Sequence, residues 1–196
     1  RLGLDSVEHA YTLSDETCRM MAENGTFLTP TLVVSHCNDY LRKHGSPEWQ
    51  LRKQEAAARE HINSCRRAAQ AGVTICTGTD LLPSDPIDGT TPTVREAELL
   101  VEDVGMTPLQ AIRSATRNGA DLCGILQETG TLEPGKLGDF IIVEGRPDQN
   151  IRDLRNIRLI SKGCRLVKSD LPAITKQNFN PMMAGVPCDG GTFRLW

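Results

Sequence analysis

Apolar and polar positions follow two rhythms along the first two thirds of the chain. Residues 4–8 (Leu-Asp-Ser-Val-Glu) alternate as a short strand does and lead to His9. Ser14-Asp15-Glu16 then predicts a helix start, with a capping hydroxyl and two acids at the positive end of the dipole. Cys18, Met21 and Ala22 share one face of that helix, and Gly25 stops it. Thr26-Phe27-Leu28-Thr29 predicts a second strand, continuing past Pro30 into Thr31-Leu32-Val33-Val34. Ser46-Pro47 is a cap followed by a proline, and a long Ala-rich, charged helix runs from there to Ala71, ended by Gly72. Val73-Thr74-Ile75-Cys76 predicts a third strand, followed by Gly78-Thr79-Asp80.

After a loop over 81–92, the spacing predicts a helix over 94–104, stopped by Gly105. Thr107-Pro108 repeats the cap-plus-proline signal and opens a helix through Thr116, with a further helical turn near Ala120–Cys123. Strands alternating with helices imply a parallel sheet or part of a barrel. From Gly124 the pattern changes. Phe140–Val143, Ile157–Ile160 and Cys164–Val167 are short apolar stretches between Gly-rich turns, which predicts a small β unit. The tail from Leu171, with Pro172, Pro181, Pro187 and glycines at 185, 190 and 191, is expected to be irregular.

Composition narrows the choice of partners. A net charge of -3 without a basic stripe argues against nucleic acid. No apolar run approaches the roughly 20 residues of a membrane span. The 7 cysteines are odd in number and without a C-x-x-C pair. They read as small buried hydrophobes in a reducing, cytoplasmic setting, without a disulfide framework. The opening Arg-Leu-Gly-Leu reads as the middle of a domain, so the sequence is expected to be a fragment.

Two residues stand where chemistry is usually placed. His9 and Asp80 follow the carboxyl ends of predicted strands, the end of α/β folds at which ligands bind. Imidazole and carboxylate together suit a divalent metal such as zinc. The plainer readings are a capping aspartate and a core or capping histidine. His36 and His44 read as loop residues, and His61 as a structural or exposed residue of the polar long helix. There is no Walker-type loop and no G-x-S-x-G elbow.

Taken in order, these segments resemble a known family. Val7-Glu8-His9-Ala10, the capped helix, Pro30-Thr31-Leu32 and Gly78-Thr79-Asp80 look like the second half of a metal-dependent amidohydrolase barrel. Thr107-Pro108-Leu109 with Ala115-Thr116 is similar to that family's last barrel helix. Residues 130–139 (Gly-Thr-Leu-Glu-Pro-Gly-Lys-Leu-Gly-Asp) look like its return into a β-sandwich. The flavour is that of the imidazolonepropionase-like and prolidase-like branch. The resemblance implies an α/β chain made of the last three βα units of a TIM (β/α)8 barrel over 1–128. A β-sandwich portion would occupy 129–170 and an irregular tail 171–196.

The resemblance also implies roles. His9 matches the metal-binding histidine after the sixth strand, and Asp80 the aspartate after the eighth, which is both ligand and proton shuttle. Tyr11, Thr31 and Leu81, beside the strand ends, would shape the substrate pocket. The cofactor would be a divalent metal, zinc foremost, with one or two ions in a full-length parent. The family's His-x-His pair, carboxylated lysine and fifth-strand histidine have no position in this chain, so alone it is expected to be inactive. The implied activity is hydrolysis of an amide-type C–N bond in a dipeptide, N-acyl amino acid or cyclic amide. The expected partners are a small-molecule substrate and further copies of the chain, with neither nucleic acid nor membrane. The alternative is a non-catalytic half-barrel serving as an interaction module. A nucleotide binder fits less well, since no Gly-rich loop follows the first strand.

Overall fold

Three stretches of extended chain lie side by side in the computed structural model, which describes residues 3–81, 86–177 and 179. Strand β1 (Ser6–Glu8) runs parallel to β2 (Phe27–Thr29), with Val7 opposite Leu28. On the far side of β2, residues 73–77 add a third, thinner member. The Leu28 amide donates to Thr74 O at 2.9 Å and the Cys76 amide to Leu28 O at 2.8 Å, the slanted pattern of a parallel pair. The predicted third strand is therefore a single parallel bridge, Leu28 to Ile75, rather than a full strand.

Helices connect these stretches, and their ends follow the sequence signals. Helix α1 (Asp15–Asn24) is capped by the Ser14 hydroxyl on the Thr17 amide and closed by Gly25 at φ 68. Only a residue without a Cβ takes that conformation cheaply. Two expectations between β2 and the next long helix are corrected. The predicted continuation of β2 through Val34 is instead a one-turn helix, α2 (Leu32–Ser35). Thr31 adopts φ 55, which ends the extended run, and the buried Glu96 carboxylate receives the Leu32 and Val33 amides at 2.9 and 2.7 Å. A short apolar run bounded by proline fits a buried helical turn as well as a strand, so Leu32-Val33-Val34 carries no periodicity to decide it. The loop expected around 36–44 contains helix α3 (Asn38–Lys43), with His44 as its C-cap.

The remaining helices keep closer to expectation. Helix α4 (Glu48–Gln70) is the long one, and Pro47 rather than Ser46 is its N-cap. Helix α5 (Pro92–Glu102) begins at the Thr91 cap. Helix α6 (Pro108–Ser114) begins with a full capping box, in which Thr107 and Gln110 satisfy each other's backbone amides. Helix α7 (Arg117–Leu122) follows directly.

The β unit is one antiparallel sheet among the described residues. It runs β3 (Phe140–Val143), β4 (Ile157–Lys162), β5 (Arg165–Ser169), with β4 in the middle. A 3₁₀ turn over Ile151–Arg155 precedes β4 and plugs the unit into the helical part. Ile151 is 3% exposed and belongs to the same apolar cluster as Leu28, Leu32, Ile75, Leu99 and Leu100. Arg155 donates twice to the fully buried Glu98 of α5, at 2.6 and 2.8 Å, and Arg152 pairs with Glu102.

Cys18, Cys37, Cys65, Cys76 and Cys164 are buried, whereas Cys123 is exposed. No disulfide forms among the described residues. Among these residues, no helix is long and apolar enough to cross a membrane. The irregular tail read from the prolines and glycines beyond 180 lies outside the described residues.

Candidate active site

The three parallel segments end in the same way. Past β1, His9 and Ala10 have φ of 65 and 54; past β2, Thr31 has φ 55; past the third segment, Asp80 has φ 50. A left-handed conformation costs an L-residue roughly 1–2 kcal/mol. Four non-glycine residues holding it at consecutive strand ends are thus kept there by their surroundings. The turn swings His9 and Asp80 off the ladder, and both are exposed.

Gly78 makes the third turn possible. A Cβ there would overlap the Thr29 Cγ2 methyl, so only glycine lets the backbone leading to Asp80 run this close to β2. The segment is also tied to the last helices. The Thr77 amide donates to Ser114 O at 3.0 Å, its hydroxyl lies 2.8 Å from Ser114 Oγ, and Asn118 donates to Ile75 O at 2.9 Å.

Side chains expected at the site fall into two groups. His9 Nδ1 lies 2.7 Å from Thr31 Oγ1, which ties the first strand end to the second. Thr31 is buried, 4% exposed, so its hydroxyl meets His9 rather than open space. Tyr11 is half-buried, and its phenol is pushed above the usual range first by burial and then by the Asp80 carboxylate. Leu81 is half-buried and packs against the core cluster.

The sequence reads His61 as structural or exposed, and the fold buries it completely. Its Nε2 faces His9 O at 2.8 Å and Pro30 O at 2.9 Å. Carbonyls only accept, so Nε2 carries the ring proton and donates to both. Burial lowers the pKa of the ring, which keeps it neutral, and Nδ1 then accepts from the Ser35 hydroxyl at 2.8 Å. The Tyr11 ring stacks on this imidazole with centroids 4.1 Å apart. Farther along the same helix, Ser64 donates to Ala10 O and accepts from the Leu13 amide, at 2.7 and 2.9 Å. Arg67 donates to Leu13 O at 2.7 Å. Residues 61, 64 and 67 are spaced three apart, which aligns them along one stripe of the helix. The signal available in the sequence is that His61 and Ser64 flank Ile62, Cys65 and Ala68, the apolar face of α4.

His36 is half-buried rather than solvated, its Nδ1 donating to Leu32 O at 2.9 Å. One surface groove, about 590 Å³, runs between α6, α7 and β3 past Ile112, Ala120 and Phe140. Another, about 420 Å³, lies beside His36, Asp88 and Arg95. Neither of these two is lined by His9 or Asp80.

Parallel segments joined by helices, with a histidine and an aspartate past two of their carboxyl ends, define an α/β protein. The comparisons make this specific: residues 2–192 match the model of the amidohydrolase family, and the chain belongs to that family. It is 31% identical to an ochratoxinase of Aspergillus niger over 172 residues, 86% of this chain and 35% of the relative. An imidazolonepropionase of Porphyromonas gingivalis is 29% identical over 143 residues, 73% of this chain and 29% of the relative. Among solved structures, a Xaa-Pro dipeptidase with methionine bound in its active site superposes with a TM-score of 0.70 at 33% identity. That match covers 82% of this chain and 39% of the dipeptidase. The chain therefore spans about a third of the length of the curated relatives it matches.

The donor set fits part of a metal centre. His9 and Asp80 are of the kinds that zinc takes, and structural or catalytic zinc sites use three or four protein ligands. Among the described residues, no group of three potential ligands is assembled.

Proposed function

We propose that this chain carries two ligands and the acid–base group of a metal-dependent hydrolase that cleaves an amide-type C–N bond. The observation that supports this reading is that His9 and Asp80 each stand in a left-handed turn just past the carboxyl end of one of the parallel segments. In this reading the three parallel segments are the last three of a barrel, whose other strands supply the remaining ligands. The substrate class follows the relatives: a dipeptide or an N-acyl amino acid, with a cyclic amide as the other candidate.

Each residue then has a task. His9 donates through Nδ1 to Thr31, which leaves the Nε2 lone pair outward as a ligand. Asp80 is the second ligand, and its carboxylate takes a proton from the attacking water and returns it to the leaving amine nitrogen. His9 and Asp80 would help to hold a divalent ion such as zinc, which would supply a water of lowered pKa, about 7, and a Lewis acid for the carbonyl. Tyr11, with its phenol kept protonated by burial and by Asp80, donates a hydrogen bond to the substrate. Leu81 supplies an apolar wall. Thr31 supports His9 instead of touching the substrate.

The test is Asp80→Asn in the native gene product, assayed on a panel of Xaa-Pro dipeptides and N-acyl amino acids. Asparagine keeps the shape and removes the proton acceptor, so turnover should fall by roughly 10²–10⁴-fold. Turnover within a few-fold of the unmodified protein would reject the role of Asp80.

A further inference from the structure

The helix that crosses behind the strand ends does more than fill space. His61 makes one donor serve two carbonyls, and those carbonyls belong to two different strand ends. One is on His9 itself; the other is on Pro30, whose next residue is the left-handed Thr31. The β1–β2 ladder ends at Glu8 and Thr29. Beyond it, the connections across to the second strand end are the His9 amide on Thr29 O, the His9–Thr31 side-chain contact and the shared His61 proton.

We propose that His61 is a positioning residue: its Nε2–H, shared between His9 O and Pro30 O, sets the spacing of the first two strand ends and so the place of the His9 imidazole. This rests on the reading of His9 as a ligand given above. Three further observations support it. The ring cannot turn, because Ser35 holds Nδ1 and Tyr11 covers a face. The neighbouring polar groups on the stripe, Ser64 and Arg67, grip Ala10 O and Leu13 O, so the whole loop after His9 hangs from α4. An apolar residue in place of His61 would leave the part-buried His9 contact and the buried Pro30 contact without their shared donor.

Glutamine and asparagine separate positioning from mere packing. In His61→Gln the side-chain amide nitrogen stands where the imidazole Nε2 was, with two protons for two carbonyls. In His61→Asn the side chain is one bond shorter and cannot reach them. Both lose the ring that Tyr11 stacks on, and His61→Asn in addition leaves the two carbonyls without their donor, so its melting temperature should fall further. The native gene product and both variants would be loaded with zinc, dialysed against a graded chelator series and analysed for metal. His61→Gln should retain zinc almost as the parent does. His61→Asn should release it at about 10–100-fold lower chelator strength. Equal zinc retention by the two folded variants would overturn the proposal. His9→Ala is the accompanying control. If His9→Ala keeps its zinc, the ligand reading of His9 falls, and the positioning role with it. If His9→Ala loses zinc while His61→Asn keeps it, only the His61 proposal falls.

Discussion

The Nδ1 atom of His9 and the hydroxyl of Thr31 meet at 2.7 Å across two strand ends, each in a left-handed turn. A buried hydroxyl holding one nitrogen of an exposed imidazole is the arrangement that fixes tautomer and ring angle in metal-binding histidines. Thr31→Val keeps the branched shape and removes the acceptor. Zinc affinity should drop by about 10–100-fold, read as metal content after dialysis against a chelator. Unchanged retention would mean that the His9 ring is oriented by something else.

Glu96 gives a pH signature. Burial raises its carboxyl from 4.5 to about 8, although the Val33 and Leu32 amides pull the other way. A raised acid pKa means that the folded state prefers the protonated form, so its contribution to stability is full below pH 4.5. That contribution is lost as pH rises toward 8. Glu96→Gln has no such titration, and its amide NH₂ faces one of the two backbone donors. The variant should be the less stable at about pH 5, with the gap narrowing by about pH 8, as read from urea midpoints at both values. A gap that widens with pH would show Glu96 to be favoured as the ion.

Gly78→Ala should be costly and specifically repairable. The new Cβ meets the Thr29 Cγ2 methyl, and overpacking of this kind costs about 1–3 kcal/mol. Thr29→Ser deletes that methyl. The double variant should recover most of the melting temperature lost in Gly78→Ala. If the serine gives no recovery, the clash is not what makes position 78 a glycine.

Much of this architecture is written in local signals. The Ser14 cap with Gly25, the Thr91-Pro92 and Thr107-Pro108 starts, and the three short β segments after Gly138 are all set by residues adjacent in sequence. Such caps act within a turn of the chain, so reading them needs no knowledge of the fold. Helix α2 is different. Its first amides are satisfied by Glu96, a residue 64 positions from Leu32. Nothing in Thr31-Leu32-Val33 shows that partner, and the apolar run therefore reads as strand.

The site divides along the same line. The strand-end positions of His9 and Asp80 are legible because each comes within a few residues of a stretch that reads as strand. His61 is not, because its neighbours Arg59, Glu60, Arg66 and Arg67 give α4 a charged look that hides a buried stripe. A histidine in step with Ile62, Cys65 and Ala68 is the available clue, and a glutamate in step with Ala97, Leu99 and Leu100 is the same clue in α5. Which carbonyls or amides such groups serve depends on elements that only folding brings together.

The 3₁₀ turn over Ile151–Arg155 ties the fates of the two lobes. Cutting the chain ahead of the β unit would pull Ile151 out of the core it shares with Leu28 and Leu99, and strip Glu98 of its Arg155 fork. The helical lobe would then hold a hole where a side chain had been and a buried anion left with Arg95 alone. The sheet is thus a keystone rather than an ornament: through Ile151 and Arg155, each lobe borrows rigidity from the other.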